Sequence, residues 1–341
     1  MNFLYACDDH YAPYAGISIT SLFENNKELD EVAVYVLVNG VSESNEQKFD
    51  ELAKEYGRNI ILIDAGEIDD YLNDNNLLPF GTAGREAYFR LFADRVLPEH
   101  VKRVIYFDCD IIVLGNLQEL DNILFDDNTC CAMTCTYFFK HYYQYPKFKD
   151  GDKFYQSGVC VFDIERWKLL GAKRIIKLFE QGITYMRMHD MDILNLTVNL
   201  NTIKLPAEYN VMNNWHAKDV DSMFKLWNID ESTFYSKDAI RNAIKNMKIL
   251  HFCGEKPWTV GSRVPRREQW EIYKAISPWR DIPKAEHKLG TVRKYEQKIG
   301  RLLPRIFHFK IIEAMHKFDV KRYYTKHNHF VKLEAYRKAV R

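Results

Sequence analysis

Val104-Ile105-Tyr106-Phe107-Asp108-Cys109-Asp110-Ile111-Ile112-Val113 joins two apolar runs through a pair of carboxylates one residue apart. In extended chain, residues i and i+2 point to the same side. Asp108 and Asp110 are therefore expected side by side, with Cys109 turned away. Like charges that close repel each other, and apolar flanks make their desolvation worse. A divalent cation between the carboxylates relieves both costs. The stretch reads as a metal site at the end of a buried strand, with a structural capping pair as the alternative.

Outward from this stretch, strand and helix patterns alternate. Asn2–Ala6 reads as a short buried strand running into Cys7-Asp8-Asp9-His10-Tyr11, and Tyr14–Asn25 as a helix packed on a sheet. Glu31–Val38 is a β-rich run, a second helix ends at Tyr56 before Gly57, and Asn59–Ala65 is a third strand. Gly84–Leu97 reads as one helix with Arg90 beside its apolar stripe, and Arg103–Leu114 as one continuous fourth strand. This alternation predicts an α/β fold, a mainly parallel sheet flanked by helices. Ligands of open α/β sheets collect at the carboxyl ends of strands, which places Asp8 and Asp110 at one pocket.

Further along, Thr129–Thr134 and Phe154–Asp163 read as strands and Arg166–Gln181 as a helix. A helix starting at His189 sets Asp190 and Asp192 at the positive end of its macrodipole. Tyr137–Asp152 is a loop rich in aromatics, suited to a lid or acceptor platform, or to packing over the core. Lys248–Phe252 is a last strand, leading into His251-Phe252-Cys253-Gly254-Glu255-Lys256-Pro257-Trp258. Gly254 lets backbone approach a ligand closely, and Lys256 can neutralise a phosphate. Two Asp oxygens, one imidazole nitrogen and diphosphate oxygens would complete a site suited to Mn²⁺ or Mg²⁺, with the imidazole favouring Mn²⁺.

With 341 residues, 47% hydrophobic and 14% aromatic, the chain is large enough for a substantial globular core. Its net charge of +1 gives no hint of a nucleic-acid partner, but it conceals an asymmetry. Ala285–Arg341 holds 15 Lys/Arg against 5 Asp/Glu, which leaves residues 1–284 at −9. The division expected is a catalytic domain over residues 1–283 and a basic helical region over 284–341. That region suits the surface of an anionic membrane, the alternative being a helix pair packed on the catalytic domain. The seven cysteines form no paired metal frame and read as reduced core thiols. The start lacks a basic leader region and no run of 18 apolar residues exists. The expected location is the cytoplasm, with peripheral contact on the inner face of the membrane.

Six pieces in order carry a resemblance to a known family: Ala6-Cys7-Asp8-Asp9-His10-Tyr11, Tyr88-Phe89-Arg90, Asp108-Cys109-Asp110, Gln156-Ser157-Gly158, Asp190-Met191-Asp192-Ile193-Leu194-Asn195 and His251–Trp258. Over roughly residues 1 to 260 the chain resembles the family 8 glycosyltransferases, retaining enzymes that use nucleotide sugars. The resemblance implies a single Rossmann-like domain of GT-A type and transfer of galactose or glucose from a UDP-sugar to a glycan or glycolipid. It implies that Asp108, Asp110 and His251 ligate Mn²⁺. Ala6, Cys7, Asp8, His10, Tyr11, Arg90, Cys109, Gln156, Ser157, Gly254 and Lys256 would contact the donor along with the Asp pair. Asp190 would lie near the anomeric carbon, with Gln156 as the second candidate catalytic residue.

Three departures stand out. Gln156-Ser157 replaces the frequent Asn-Ala, Met191 stands where galactosyltransferases of the family carry Gln, and the His251–Trp258 loop is one residue short. A thioether cannot act as an oxygen nucleophile, which favours same-face attack over a covalent intermediate without deciding between them. Two other readings compete. A haloacid-dehalogenase-type phosphatase would use Asp108 as nucleophile, but about a hundred residues precede it here. A nucleotide-sugar- or glycan-binding protein with lost activity is the other, for which Met191 speaks.

Overall fold

The computed structural model describes residues 1–75, 84–137, 153–182 and 188–286, together with residue 332. The amino-terminal half follows the expected alternation: β1 (Asn2–Asp8), α1 (Ala12–Glu24), β2 (Ala33–Asn39), α2 (Glu43–Tyr56), β3 (Asn59–Asp64) and α3 (Gly66–Asp74). α2 stops where Gly57 turns left-handed at φ 59°, a conformation that glycine adopts without steric cost. The chain continues through α4 (Glu86–Phe89), β4 (Arg103–Phe107), β5 (Ile111–Val113), α5 (Gln118–Asp121), β6 (Cys131–Thr136) and β7 (Phe154–Asp163). Beyond these lie α6 (Lys173–Glu180), α7 (Asp190–Val198), β8 (Thr202–Leu205), β9 (Val211–Met212), α8 (Val220–Trp227), α9 (Lys237–Lys245), β10 (Ile249–His251) and α10 (Arg267–Ile276).

Seven strands form one sheet in the order β3-β2-β1-β4-β7-β6-β8. Neighbours run parallel except at β7, which is antiparallel to both β4 and β6. Alternation along β1 feeds both faces: Leu4 and Ala6 join one core, Phe3, Tyr5 and Cys7 the other. All are buried, as expected of a central strand with helices on both sides. Gly16 of α1 lets that helix close on Trp279; a Cβ there would stand 2.0 Å from the indole Cζ3.

Two expected elements are broken. The single strand Arg103–Leu114 is two strands in different sheets, because β5 pairs with β10, which also pairs with β9, in a separate three-stranded sheet. Asp108-Cys109-Asp110 is the corner between them. The Asp108 N–H makes a last rung to Gly158 O at 2.9 Å, and Asp110 O then accepts from Phe252 N at 2.9 Å. The expected helix Gly84–Leu97 is α4 followed by a 3₁₀ stretch, Arg90–Arg95, with Phe92 non-helical at φ −125°, ψ 16°. The tighter turn begins at Arg90, whose buried guanidinium holds the backbone carbonyls of Ala87 and Ser157. Most of the aromatic loop expected over Tyr137–Asp152, and nearly all of the basic region expected over 284–341, lie outside the described residues.

Candidate active site

The corner after β4 and the end of β10 converge. β5 and β10 pair antiparallel with His251 opposite Ile111, which carries the imidazole to the Asp pair. His251 Nε2 lies 3.2 Å from Asp110 Oδ1 and 3.8 Å from Asp108 Oδ2. One ligand atom from each of Asp108, Asp110 and His251 lies within 4.8 Å of the others, a spacing that fits one divalent cation. Gly158 forms the floor. A Cβ there would stand 2.3 Å from His251 Cε1 and 2.7 Å from Asp108 Oδ2, so only glycine leaves these two groups room.

The two carboxylates do not depend on a metal ion to be tolerated. Each carries a cationic side chain on its remaining oxygen. Arg90 Nη2 pairs with Asp108 Oδ1 at 2.7 Å, and the Tyr106 hydroxyl donates to the same oxygen at 3.0 Å. Lys256 Nζ pairs with Asp110 Oδ2. Burial alone would raise the Asp110 pKa, but Lys256 and His251 hold it well below the usual carboxylate range. Two oxygens, Asp108 Oδ2 and Asp110 Oδ1, remain facing the imidazole.

Arg90 is the hub of the charge arrangement. Only 4% exposed, it donates from Nε to Ala87 O at 2.9 Å and from Nη1 to Ser157 O at 2.8 Å. Its guanidinium lies 3.9 Å over the Tyr106 ring. Burial opposes its charge, but Asp108 and Asp190 overcome that and raise its pKa. Asp190 opens α7 directly after His189, whose backbone is forced to φ 53°, ψ −127°. Such strain in a non-glycine residue costs on the order of 1–3 kcal/mol and persists where surrounding structure dictates it. Asp190 Oδ2 is buried without a hydrogen bond, 3.6 Å from Arg90 Nη1. Burial, opposed by Arg90, raises the Asp190 pKa above its ordinary value.

These groups border a cavity of about 240 Å³ at the carboxyl ends of β1 and β4. Among the sequence-derived candidates, Ala6, Cys7, Asp8, Tyr11, Arg90, Asp108, Cys109, Asp110, Asp190 and Lys256 line it. Asp8 Oδ1 accepts from Tyr11 N at 2.8 Å, which turns the chain from β1 into α1. Cys109 Sγ donates to Ala6 O at 3.3 Å and ties the two strand ends together. Lys256 also donates to Phe252 O at 3.0 Å, and Trp258 stacks on Tyr14 at 3.8 Å, fixing the loop after β10 to α1.

Five candidates are not among the cavity's lining residues: His251, which faces the Asp pair, and four more. His10 faces a separate surface hollow with Asp9, Asn39 and residues 282–285. Gly254 supplies a left-handed turn at φ 87° and is not among the cavity's lining residues. Ser157 reaches the site through its carbonyl on Arg90 and its side chain on Asp190. Gln156 Oε1 already accepts from Gly158 N at 2.6 Å and Asn210 Nδ2 at 2.7 Å. Conversely, Tyr106 and Glu86 line the cavity and Asn210 holds His251 Nδ1 at 2.9 Å, and none of these three was expected. Gly158, inside an apolar strand, carried a readable signal of close approach. Asn210, in a polar stretch between strands, carried none.

The α/β architecture is that of GT-A nucleotide-sugar transferases. The chain superposes on the structure of galactosyltransferase LgtC in complex with donor and acceptor sugar analogues, with TM-score 0.65 and 21% identity over 83% of this chain and 98% of that one. Residues 2–260 match glycosyl transferase family 8, and the chain belongs to that family. It is 26% identical to general stress protein A of Bacillus subtilis, covering 83% of this chain and 96% of the relative. It is 23% identical to the lipopolysaccharide 1,2-glucosyltransferase of Escherichia coli K12, covering 96% and 92% respectively. Membership of a transferase family disfavours the phosphatase and binding-protein readings.

Proposed function

We propose that the chain moves a hexose, galactose or glucose, from a UDP-sugar to a glycan or glycolipid acceptor with retention of anomeric configuration. The convergence of Asp108 Oδ2, Asp110 Oδ1 and His251 Nε2 beside the cavity is the observation that supports it. Two carboxylates and an imidazole suit Mn²⁺, with Mg²⁺ as the second choice. When bound, such a cation supplies charge stabilisation to the departing diphosphate.

The chain's own residues do the rest. Ala6, Cys7, Asp8 and Tyr11 at the end of β1 hold the nucleoside. Lys256, which lines the cavity with its ammonium paired to Asp110, clamps the phosphate oxygens as negative charge develops. Asp190 presents to the sugar a carboxylate oxygen that makes no hydrogen bond, ion-paired with Arg90, and stabilises positive character at the anomeric carbon. Arg90 keeps both Asp108 and Asp190 oriented. Met191 beside Asp190 is buried and offers no oxygen nucleophile, which favours attack on the face the diphosphate leaves.

UDP release from a panel of UDP-sugars, with and without Mn²⁺ and acceptor, tests the proposal. Chelation and Asp110→Asn are each expected to abolish Mn²⁺-dependent release while the circular dichroism spectrum stays unchanged. Undiminished transfer by Asp110→Asn would overturn the metal assignment.

A further inference from the structure

Asn210 is not among the lining residues of the cavity, yet it belongs to a run of hydrogen bonds whose direction one backbone amide dictates. The Gly158 N–H can only donate, so the Gln156 atom 2.6 Å away is the side-chain oxygen Oε1. The same oxygen lies 2.7 Å from Asn210, and an oxygen there admits only the Asn210 amide nitrogen. The other proton of that nitrogen goes to Thr134 Oγ1 at 2.9 Å. The remaining Asn210 atom is therefore its oxygen, an acceptor, and it stands 2.9 Å from His251 Nδ1. An acceptor at that distance requires a proton on Nδ1. The ring position left to meet a cation is then Nε2, which faces Asp110 and Asp108 and whose own proton, present when the imidazole is charged, a bound cation would displace.

We propose that Gln156 and Asn210 are positioning residues: the relay from Gly158 N–H through Gln156 and Asn210 keeps His251 protonated at Nδ1 and presents Nε2 as a metal ligand. This deepens the metal site proposed above and rests on that reading. It also gives Gln156 a role away from the sugar, since its oxygen is committed twice.

The fold builds the relay with an irregularity in the sheet. β6 and β7 pair Met133 with Cys160, but the next residue, Thr134, pairs with Gln156. Residues 157–159 therefore bow out of the ladder. The bulge sends the Gly158 carbonyl to Asp108 and the Ser157 carbonyl to Arg90, while its base aims Gln156 and Thr134 at Asn210. Thr134, Asn210 and His251 are 1%, 2% and 2% exposed, so no bulk water competes for these groups. Second-sphere partners of this kind orient ligating histidines and raise their basicity.

Nitrogen NMR on the full-length chain labelled with ¹⁵N-histidine, with His251→Gln to identify the signals, reads the proton directly. Nδ1 is expected to carry its proton before and after Mg²⁺ is added, and Nε2 is expected to be the nitrogen that shifts. Mn²⁺ titration followed by electron paramagnetic resonance then separates the variants. Gln156→Leu and Asn210→Leu are expected to weaken binding by about 10- to 100-fold, while Gln156→Glu, which keeps both acceptor contacts, stays within about threefold. An unprotonated Nδ1 in the wild-type chain, or undiminished Mn²⁺ affinity in both leucine variants, would overturn the relay. If the leucine variants fail to fold, the wild-type nitrogen assignment decides by itself. A protonated Nδ1 in a chain that binds neither ion would remove the metal reading and leave the relay standing.

Discussion

Gly158→Ala adds one methyl group at the floor of the site and is the sharpest single test of its geometry. Gly158 is not among the residues with positive φ, so alanine brings no backbone strain and the effect is steric alone. The new Cβ would stand 2.3 Å from His251 Cε1, 2.7 Å from Asp108 Oδ2 and 2.9 Å from His251 Nδ1. Carbon contacts are optimal near 3.5–4.0 Å, so the imidazole must retreat by more than about 1 Å. It has little room to do so, being 2% exposed and held through Nδ1 by Asn210.

Two consequences have different sizes. Overpacking of this kind costs about 1–3 kcal/mol of stability, which a urea melt resolves. Ligand distances in a metal site tolerate only about 0.2 Å, so displacement by an ångström is expected to weaken Mn²⁺ binding by about 100-fold or more. Sugar transfer is expected to fall by about 100-fold with it, as for a comparable misplacement of reacting groups. The assay pairs Mn²⁺ titration with UDP release on a chain shown to be folded by circular dichroism. Binding and turnover at wild-type levels in the alanine variant would refute the assignment of His251 and Asp108 to one cation.

Arg90→Lys keeps the charge but loses the planar fork that spans Asp108 and the Ser157 carbonyl. Leaving the buried Ser157 carbonyl without its donor is expected to lower unfolding free energy by about 1–3 kcal/mol, and an unchanged urea midpoint would contradict the hub role. Asp190 has its pKa raised by burial, so its carboxylate is lost as pH falls through a value above the ordinary one. The acid limb of the kcat/KM profile is therefore expected above about 3.9, the ordinary aspartate value; a limb at or below it would argue that Asp190 is not the titrating group. The basic region from Ala285 to Arg341, with 15 Lys/Arg, is proposed to contact anionic membrane. Replacing Arg301, Arg305 and Lys310 with Glu is expected to reduce pelleting of the full-length chain with anionic vesicles, and equal pelleting would refute that contact.

The alternation of β-rich and amphipathic runs up to Ala65 was enough to place β1, β2 and β3 and the helices between them, because hydrophobic period reports local conformation directly. The six motifs likewise carry the family in the sequence alone, and ten of the candidate residues line one cavity. Chemistry was legible where a residue type is costly or special in its local setting: paired carboxylates in an apolar run, or a histidine ending a strand.

What lay beyond the sequence were the relations between distant segments. The run Val104–Val113 is continuous in apolar character, and nothing local reveals that its first half pairs with β7 and its second half with β10. Nor does it reveal that Arg90 and Lys256 neutralise the Asp pair from segments far along the chain. Asn210 owes its role wholly to a bulge in β7 that turns Gln156 toward it. Sequence determined the groups that are costly or special in their local setting, the Asp pair and His251, since side-chain period and charge are local properties. Only the tertiary structure decided which oxygen meets which cation and which histidine nitrogen faces the carboxylates, because those depend on where two separate sheets meet.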